Sequence, residues 1–426
     1  MVSFDIFDTL IGRWYYTPES IAEEMQTNLN IENFAWYRKH AENSVGIKTY
    51  QNIHNKLQEL LGYDDLTRDF VQEYEFSLEI KRTFPIEENI RKLDSDSLLI
   101  SDTYFSPEEL KRILTSNGIH TYRQILSSYD GKSSGRVWDS VQTQLHLGDN
   151  IESDFNIPRR RGIDCIHYTN SMYTDTERYL VGNGYSNLAN LSRAVRLQNR
   201  FSGVDASIWD EQAMINLPLL ILISNYISNY FSDNGKFDKV LFTQRDCYNL
   251  YNIFSLLYSN IKIDKLYSNR ELYTNPTANF RRYTDTLVGN CNPLVVDMQG
   301  TGNTFINYFT NLNVNNYLPV VYSDLESRHN FTHLAHRSLG ISDKIERINY
   351  SPFSSTKGIG NDGVAIAYPH CNQYISIQQQ AQSIALGMIR GGFALERSYN
   401  KDVLIWLLTK LEATCKICGV VNHEEI

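Results

Sequence analysis

Two doubly wound α/β domains, each a parallel sheet between layers of helix, are what this sequence predicts, and three observations predict them. Short runs such as Leu98-Leu99-Ile100, Val240-Leu241-Phe242 and Leu294-Val295-Val296 read as buried parallel strands. Stretches of helical periodicity separate these runs along the chain, as parallel connections require. At 426 residues the chain is long enough to build two cores.

The elements follow in order. Val2–Leu10 reads as a strand delivering Asp5 to its C-terminal end, followed by a turn. Four segments then carry apolar residues at three- and four-residue spacing: Pro18–Leu29, Ile31–Ser44, Tyr50–Leu61 and Leu66–Thr83. A strand over Ser97–Ile100 leads to Ser101-Asp102-Thr103, and a helix over Pro107–Asn117 stops at Gly118. Gln124–Ser127 is a short strand, and Lys132 follows in the polar loop Tyr129–Gly135. The run Gln144–Asp149 is a strand tipped by Gly148-Asp149, with Asp154 five residues beyond Asp149. After a transition rich in Asn and Gly, Ile208–Ser232 reads as a long apolar-faced core helix. Lys239–Phe242 leads to Thr243–Tyr248 and a helix running through Leu257; Lys265–Tyr267 leads to Ser268-Asn269-Arg270. Pro293–Thr304 is a strand, a small-residue turn and the start of a helix over Phe305–Phe309. Tyr317–Tyr322 is a further strand, ending toward Asp324.

Composition excludes several classes. A net charge of −9 argues against nucleic-acid binding, which needs a basic face. Met1 leads directly into a strand-like run, so no signal peptide is expected, and the most apolar stretch, Leu217–Ile223, is too short for a membrane span. Cys165, Cys247, Cys291, Cys371, Cys415 and Cys418 are scattered, as reduced thiols in the cytoplasm would be. Cys415 and Cys418 form one CxxC with His423 beyond, short of the ligands that a zinc site needs.

Asp5, Ser101, Lys132 and Asp149 thus stand at successive strand tips, with GDxxxxD closing the set at Asp154 and a helical insertion after the first tip. This layout resembles the haloacid-dehalogenase-like (HAD) phosphohydrolases over residues 1–175. The resemblance implies Mg²⁺ chemistry on a phosphate monoester, with Asp5 as nucleophile and Ser101 bonding a phosphoryl oxygen. Lys132 would balance charge, and Asp5, the Phe7 carbonyl, Asp149 and Asp154 would hold the metal. It departs from the family two residues after the nucleophile, where Phe7 stands in place of the usual acid; Asp8 either takes over as general acid or only shapes the turn. The insertion, at about 15–92, resembles a C1-type cap.

In the second half Arg245, Asp246, Arg270 and Asp297 stand at strand ends, where doubly wound sheets bind ligands. Two arginines suit a phosphate or pyrophosphate. Val295-Val296-Asp297 followed by Gly300-Thr301-Gly302-Asn303-Thr304 resembles the phosphoribosyl pyrophosphate (PRPP) loop of type I phosphoribosyltransferases. In that resemblance Gly300, Thr301, Gly302, Asn303 and Thr304 bind the 5-phosphate, and Asp297 binds the ribose hydroxyls. The family's first acid is replaced by Val296, and Asp246 is the carboxylate available to compensate.

Together the halves resemble the PRPP-dependent ribofuranose-forming enzymes of bacterial capsule and O-antigen assembly. The resemblance implies transfer of 5-phosphoribosyl from PRPP to a glycan acceptor, then removal of the 5-phosphate, with Mg²⁺ as cofactor. It implies a cytoplasmic protein without a transmembrane segment, and leaves open peripheral association with the inner face of the membrane through a lipid-linked acceptor. Two other readings stand beside it. One is a HAD-type sugar-phosphate phosphatase whose second domain binds a nucleotide or partner; the other is a non-catalytic sensor or scaffold. The expected division is 1–175 for the phosphatase domain, 176–205 connecting, 206–400 for the Rossmann-like transferase domain and 401–426 for a terminal helix and tail.

Overall fold

A computed structural model describes residues 1–322, 332–336, 342–369 and 373–414. Asp324, Cys371, Cys415, Cys418 and His423, singled out in the sequence, lie outside the described residues. The chain forms two compact units: Met1–Thr174 with Leu197–Arg200, and Asp175–Arg196 with Phe201 onward. The stretch 176–205 is therefore not a separate connector. Helices Asp175–Gly182 and Ser186–Leu197 carry most of it into the second unit.

The first unit contains β1 (Val2–Phe4), β2 (Ile11–Arg13), β3 (Thr83–Pro85), β4 (Leu98–Asp102), β5 (Gln124–Ser128), β6 (Leu145–Gly148) and β7 (Asp164–His167). Five of these make one parallel sheet in the order β5-β4-β1-β6-β7. The connections run one way from β1 and then reverse, so the crevice where ligands bind in such sheets opens beside β1. Leu98, Ile100, Trp138, Ile157 and Ile163 pack together as a core cluster of this unit. The edge strand β7 was not expected: its sequence Asp-Cys-Ile-His has no apolar run, because an edge strand buries little of either face.

The insertion is four helices, Ser20–Leu29, Phe34–Ser44, Tyr50–Leu61 and Asp65–Lys81. They share a core of their own that includes Met25, Phe34, Ile53 and Leu57. Thr49 and Asp64 cap two of them through Asn52 N and Thr67 N, and Gly62 turns the chain between these at φ +71°. The insertion is narrower than 15–92. Chain enters and leaves it through β2 and β3, an antiparallel pair, and residues after Thr83 belong again to the sheet's surroundings.

The second unit contains β8 (Lys239–Thr243), β9 (Ile263–Leu266), β10 (Pro293–Gly300), β11 (Tyr317–Tyr322) and β12 (Ala335–His336), all parallel, in the order β12-β11-β10-β8-β9. Its reversal point lies between β8 and β10. A small antiparallel pair follows, β13 (Gly358–Ile359) with β14 (Ala365–Ile366). The apolar helix Leu217–Asn234 continues from Gly203–Glu211 through a wide π turn at Gln212–Asn216. This helical run is long and apolar enough to cross a membrane, yet its most apolar window is 72% buried inside the protein. Gln212, Asn216 and Asn349 form a ladder of amide bonds (2.8–3.1 Å) in its interior, and Gln382 adds to it. The terminal helix, Lys401–Thr414, buries Val403, Leu404, Leu407, Leu408 and Leu411.

Candidate active sites

In the first unit the carboxyl ends of β1, β4 and β6 converge. Asp5 follows β1 directly, with its N–H bonded to the Leu147 carbonyl of β6 at 2.9 Å. The Lys132 ammonium bonds Asp5 Oδ1 and, at 2.7 Å, Asp154 Oδ1, with all three side chains buried. Asp149 is half-buried beside them, and Asp5, Asp149 and Asp154 each offer an oxygen within 4.8 Å of the others. Ser101 is buried near the end of β4.

Local structure explains how each side chain arrives. Asp102 ends β4 and accepts the backbone N–H groups of Lys132 (2.7 Å) and Ser133 (2.9 Å), which fastens the lysine loop to the sheet. Asp154 sits in a π turn, Ile151–Asn156, whose start Asn150 caps by accepting from Glu152 N and Ser153 N. That wide turn brings Asp154 back over Gly148, where a Cβ would lie 2.5 Å from its carboxyl carbon. Only glycine leaves Asp154 that room.

Four participants, His146, Ser3, Thr9 and Asn89, were not picked out as site residues from the sequence. His146 on β6 places Nε2 3.1 Å from Asp154 Oδ1, and its other ring nitrogen is 2.8 Å from the Ser3 hydroxyl. Thr9 donates to Asp5 Oδ2 at 3.3 Å, and Asn89 pins that turn through the Thr9 carbonyl. Thr9 stands four residues after Asp5 in the same turn, whereas Asn89 and the Ser3–His146 pair come from separate segments that only folding brings together.

The electrostatics are those of crowded carboxylates around one cation. Burial raises Asp5, the nearby Asp154 charge adds to this, and Lys132 opposes it. Burial also raises Asp149, reinforced by the charges of Asp5, Asp8 and Asp154. Burial would raise Asp154 as well, but Lys132 and His146 outweigh it and hold the group below its ordinary range. Asp8 thus faces the group electrostatically, from a turn it enters in the left-handed conformation at φ +55°. The donors are all oxygen and carry excess negative charge, which fits a hard divalent cation such as Mg²⁺. Between this turn and the inserted helices lies a cavity of about 240 Å³, lined by Phe7, Arg13, Arg38, Asp102 and Tyr104 among others. The Arg13 guanidinium lies 3.9 Å over the Phe7 ring.

In the second unit a cavity of about 600 Å³ opens at the reversal point. Arg245, Asp246, Arg270, Asp297, Gly300, Thr301, Gly302 and Thr304 all line it, so the structure gathers these expected residues. Asn303 opens the following helix, Asn303–Phe309, with its N–H bonded to Thr301 Oγ1 at 3.3 Å. One expectation is corrected. Asp297 does not end its strand: β10 runs on to Gly300, with Asp297 paired to Pro319 on β11. Parallel pairing to a long neighbour carries the strand past a polar residue that would otherwise signal its end.

Asp297 accepts from Thr243 (2.8 Å) and Tyr317 (2.7 Å). Burial, helped by the charge of Asp246, lifts it to about 6, against those two bonds. Gly300 makes room for this arrangement, since a Cβ there would meet the Tyr317 oxygen at 2.7 Å. Arg245 holds a backbone angle of φ +111°, rare for a residue with a side chain, and pairs with Asp246 (2.8 Å) and with Glu346. Glu346 also accepts from Gln299 at 2.9 Å. Arg270 is exposed at the cavity's edge. Glu346 and Tyr317 were not foreseen, because both come from distant segments.

A scan of the chain against protein-family models found no match, and a search of curated proteins found none either.

Proposed function

We propose that the chain is a bifunctional enzyme of polysaccharide assembly. Its second unit transfers 5-phosphoribosyl from PRPP to a glycan acceptor, and its first removes the 5-phosphate to leave a ribofuranosyl residue. The observation that carries this reading is the buried Lys132 bridge between Asp5 and Asp154, set among three converging carboxylates at strand ends.

Asp5, Asp149, Asp154 and the Phe7 carbonyl would hold Mg²⁺, which supplies positive charge between the nucleophile and the phosphate. Lys132 orients Asp5 by one oxygen and favours its ionised form. The other carboxylate oxygen of Asp5 forms the bond to phosphorus while the bond from phosphorus to the ribose 5-oxygen breaks. Asp8 passes its proton to that leaving oxygen. It then takes a proton from the water that attacks phosphorus, releasing inorganic phosphate and free Asp5. Ser101 donates to a phosphoryl oxygen.

In the second unit Asp297, with Asp246, holds the ribose hydroxyls, and the loop Gly300–Thr304 holds the 5-phosphate. Arg245 and Arg270 take the charge that develops on pyrophosphate as it leaves C1 and the acceptor oxygen bonds there. A lipid-linked acceptor would place this chemistry at the cytoplasmic face of the membrane.

Incubation with PRPP, Mg²⁺ and a panel of glycans tests the proposal when pyrophosphate and phosphate are followed separately. Acceptor-dependent pyrophosphate release that Asp297→Ala abolishes is the expected result. Phosphate release from simple sugar phosphates with no use of PRPP would reduce the protein to a phosphatase.

A further inference from the structure

A second cavity of the second unit, about 410 Å³, shares Gln244 and Arg245 with the cavity around Asp297. Its volume falls within the range of small-molecule sites, roughly 300–1,000 Å³. Its character differs from its neighbour's: the walls are aromatic rings, Tyr248, Tyr267, Tyr283 and Phe353, and no carboxylate lines it. Phe353 and Val364 remain 44% and 62% exposed at its edge.

Two polar groups in this cavity make no hydrogen bond among the described residues. Gln244 Nε2 is buried without a hydrogen bond, a donor whose desolvation is uncompensated. The Lys265 ammonium is half-buried, lies 5.2 and 4.6 Å from the Tyr248 and Tyr251 ring centroids, and has no acidic partner there. Arg245, which lines both cavities, pairs with Asp246 on the wall of the neighbouring cavity and with Glu346.

We propose that this aromatic cavity is the acceptor subsite and that it takes a pyranose bearing a carboxylate, a sugar of the uronic acid type. The assignment rests on the transferase reading for the word acceptor, and on its own geometry for the ligand. Aromatic faces suit the C–H face of a sugar ring. A single free ammonium matches one carboxylate and falls short of a phosphate dianion. Gln244, on the wall common to both cavities, gives its free N–H to a ring hydroxyl and so aims that edge of the sugar toward the PRPP side. Lys265 has had its ammonium form weakened by burial, and a bound carboxylate would restore it.

Calorimetric titration of the full chain with methyl β-D-glucuronide, methyl β-D-glucoside and orotate, without PRPP, tests this. The glucuronide is expected to bind at least about tenfold tighter than the glucoside, one factor of ten in the binding constant. Lys265→Gln should erase that difference, and Phe353→Ala should weaken both sugars, while thermal melts show each variant folded. Absence of glucuronide binding, or binding indifferent to Lys265→Gln, overturns the proposal; so does orotate binding tighter than the glucuronide, which would mark a site for a planar base. A parallel titration with PRPP separates the two readings. PRPP binding without glucuronide binding removes the sugar site alone, whereas glucuronide binding without PRPP binding removes the transferase reading and leaves a sugar-binding cavity.

Discussion

Gly148 shows how tightly the first site is built at the level of single atoms. A methyl group there would sit 2.5–2.7 Å from the Asp154 carboxylate, so Gly148→Ala must push Asp154 away from Lys132. Expected are a loss of about 1–3 kcal/mol in stability and a fall in phosphate release, read by thermal melts and steady-state kinetics. Asp297 makes a different point. Its folded value of about 6, raised chiefly by burial, lies above the 3.8 of an ordinary aspartate. The folded form therefore binds the proton more tightly, and stability contributed by this group is present below pH 3.8 and lost as pH rises through 6. Asp297→Asn keeps contacts to both hydroxyls, because a hydroxyl accepts as readily as it donates. At pH 7.5 the variant should melt higher by about 1–2 kcal/mol equivalent, discounted for partial exposure, while transfer is lost. A variant that melts lower at that pH would show that the carboxylate is not held at a cost.

At the scale of elements, the inserted helices are locked by a buried ion network. Arg38 bonds Glu75 through Nε and Nη2 at 2.9–3.1 Å, and His54 Nε2 lies 3.2 Å from the same carboxylate. Burial alone would raise Glu75, but Arg38 and His54 outweigh it and bring the group to about 2. Here the folded value is depressed, so its stabilisation is full above pH 4.5 and disappears as pH falls toward 2. Glu75→Gln leaves the buried Arg38 with Glu42 (3.1 Å) as its one remaining counter-charge and should cost up to about 3 kcal/mol at neutral pH. Melts from pH 2 to 7 should show the wild-type acid transition flattened in the variant. The lysine loop is a second element whose position matters more than its stability. Asp102→Ala frees two backbone N–H groups that hold Lys132 in place and should lower the kcat of the proposed phosphate release by about 10–100-fold with a small change in Tm.

Across the whole molecule, two sheets of different strand order each place their candidate site residues at the point where the connections reverse. Each unit has its own core and its own carboxylates, so the two proposed activities should separate by mutation. Asp5→Asn should cut phosphate release about a thousandfold or more while pyrophosphate release continues, with product accumulating as the 5-phosphate. Mass spectrometry of that product checks it. Loss of both activities in the one variant would rule out independent sites.

Much of this was legible before any tertiary structure. Tyr50–Leu61 and Tyr317–Tyr322 have the bounds their periodicity predicts, and Asp5 and Lys132, far apart in the chain, meet as their strand-tip positions require, with Asp154 reaching them from the turn beyond Asp149. Periodicity is a local property, and in a parallel sheet the order of strand tips carries it into space. The rest depended on partners that no local pattern encodes. Strand β7 escaped because an edge strand needs no apolar run, and β10 outlasts Asp297 because β11 supplies its hydrogen bonds. His146 against Asp154, Asp102 under the lysine loop, and the stretch 351–367 that helps wall the aromatic cavity are likewise long-range placements. The amino-acid sequence by itself determined which segments became strands and helices and which residue types stood at their tips. Which side chains are buried together, and hence which carboxylates meet at the Lys132 ammonium, only the packed sheets decided, because desolvation and Coulomb energy depend on distances that folding alone sets.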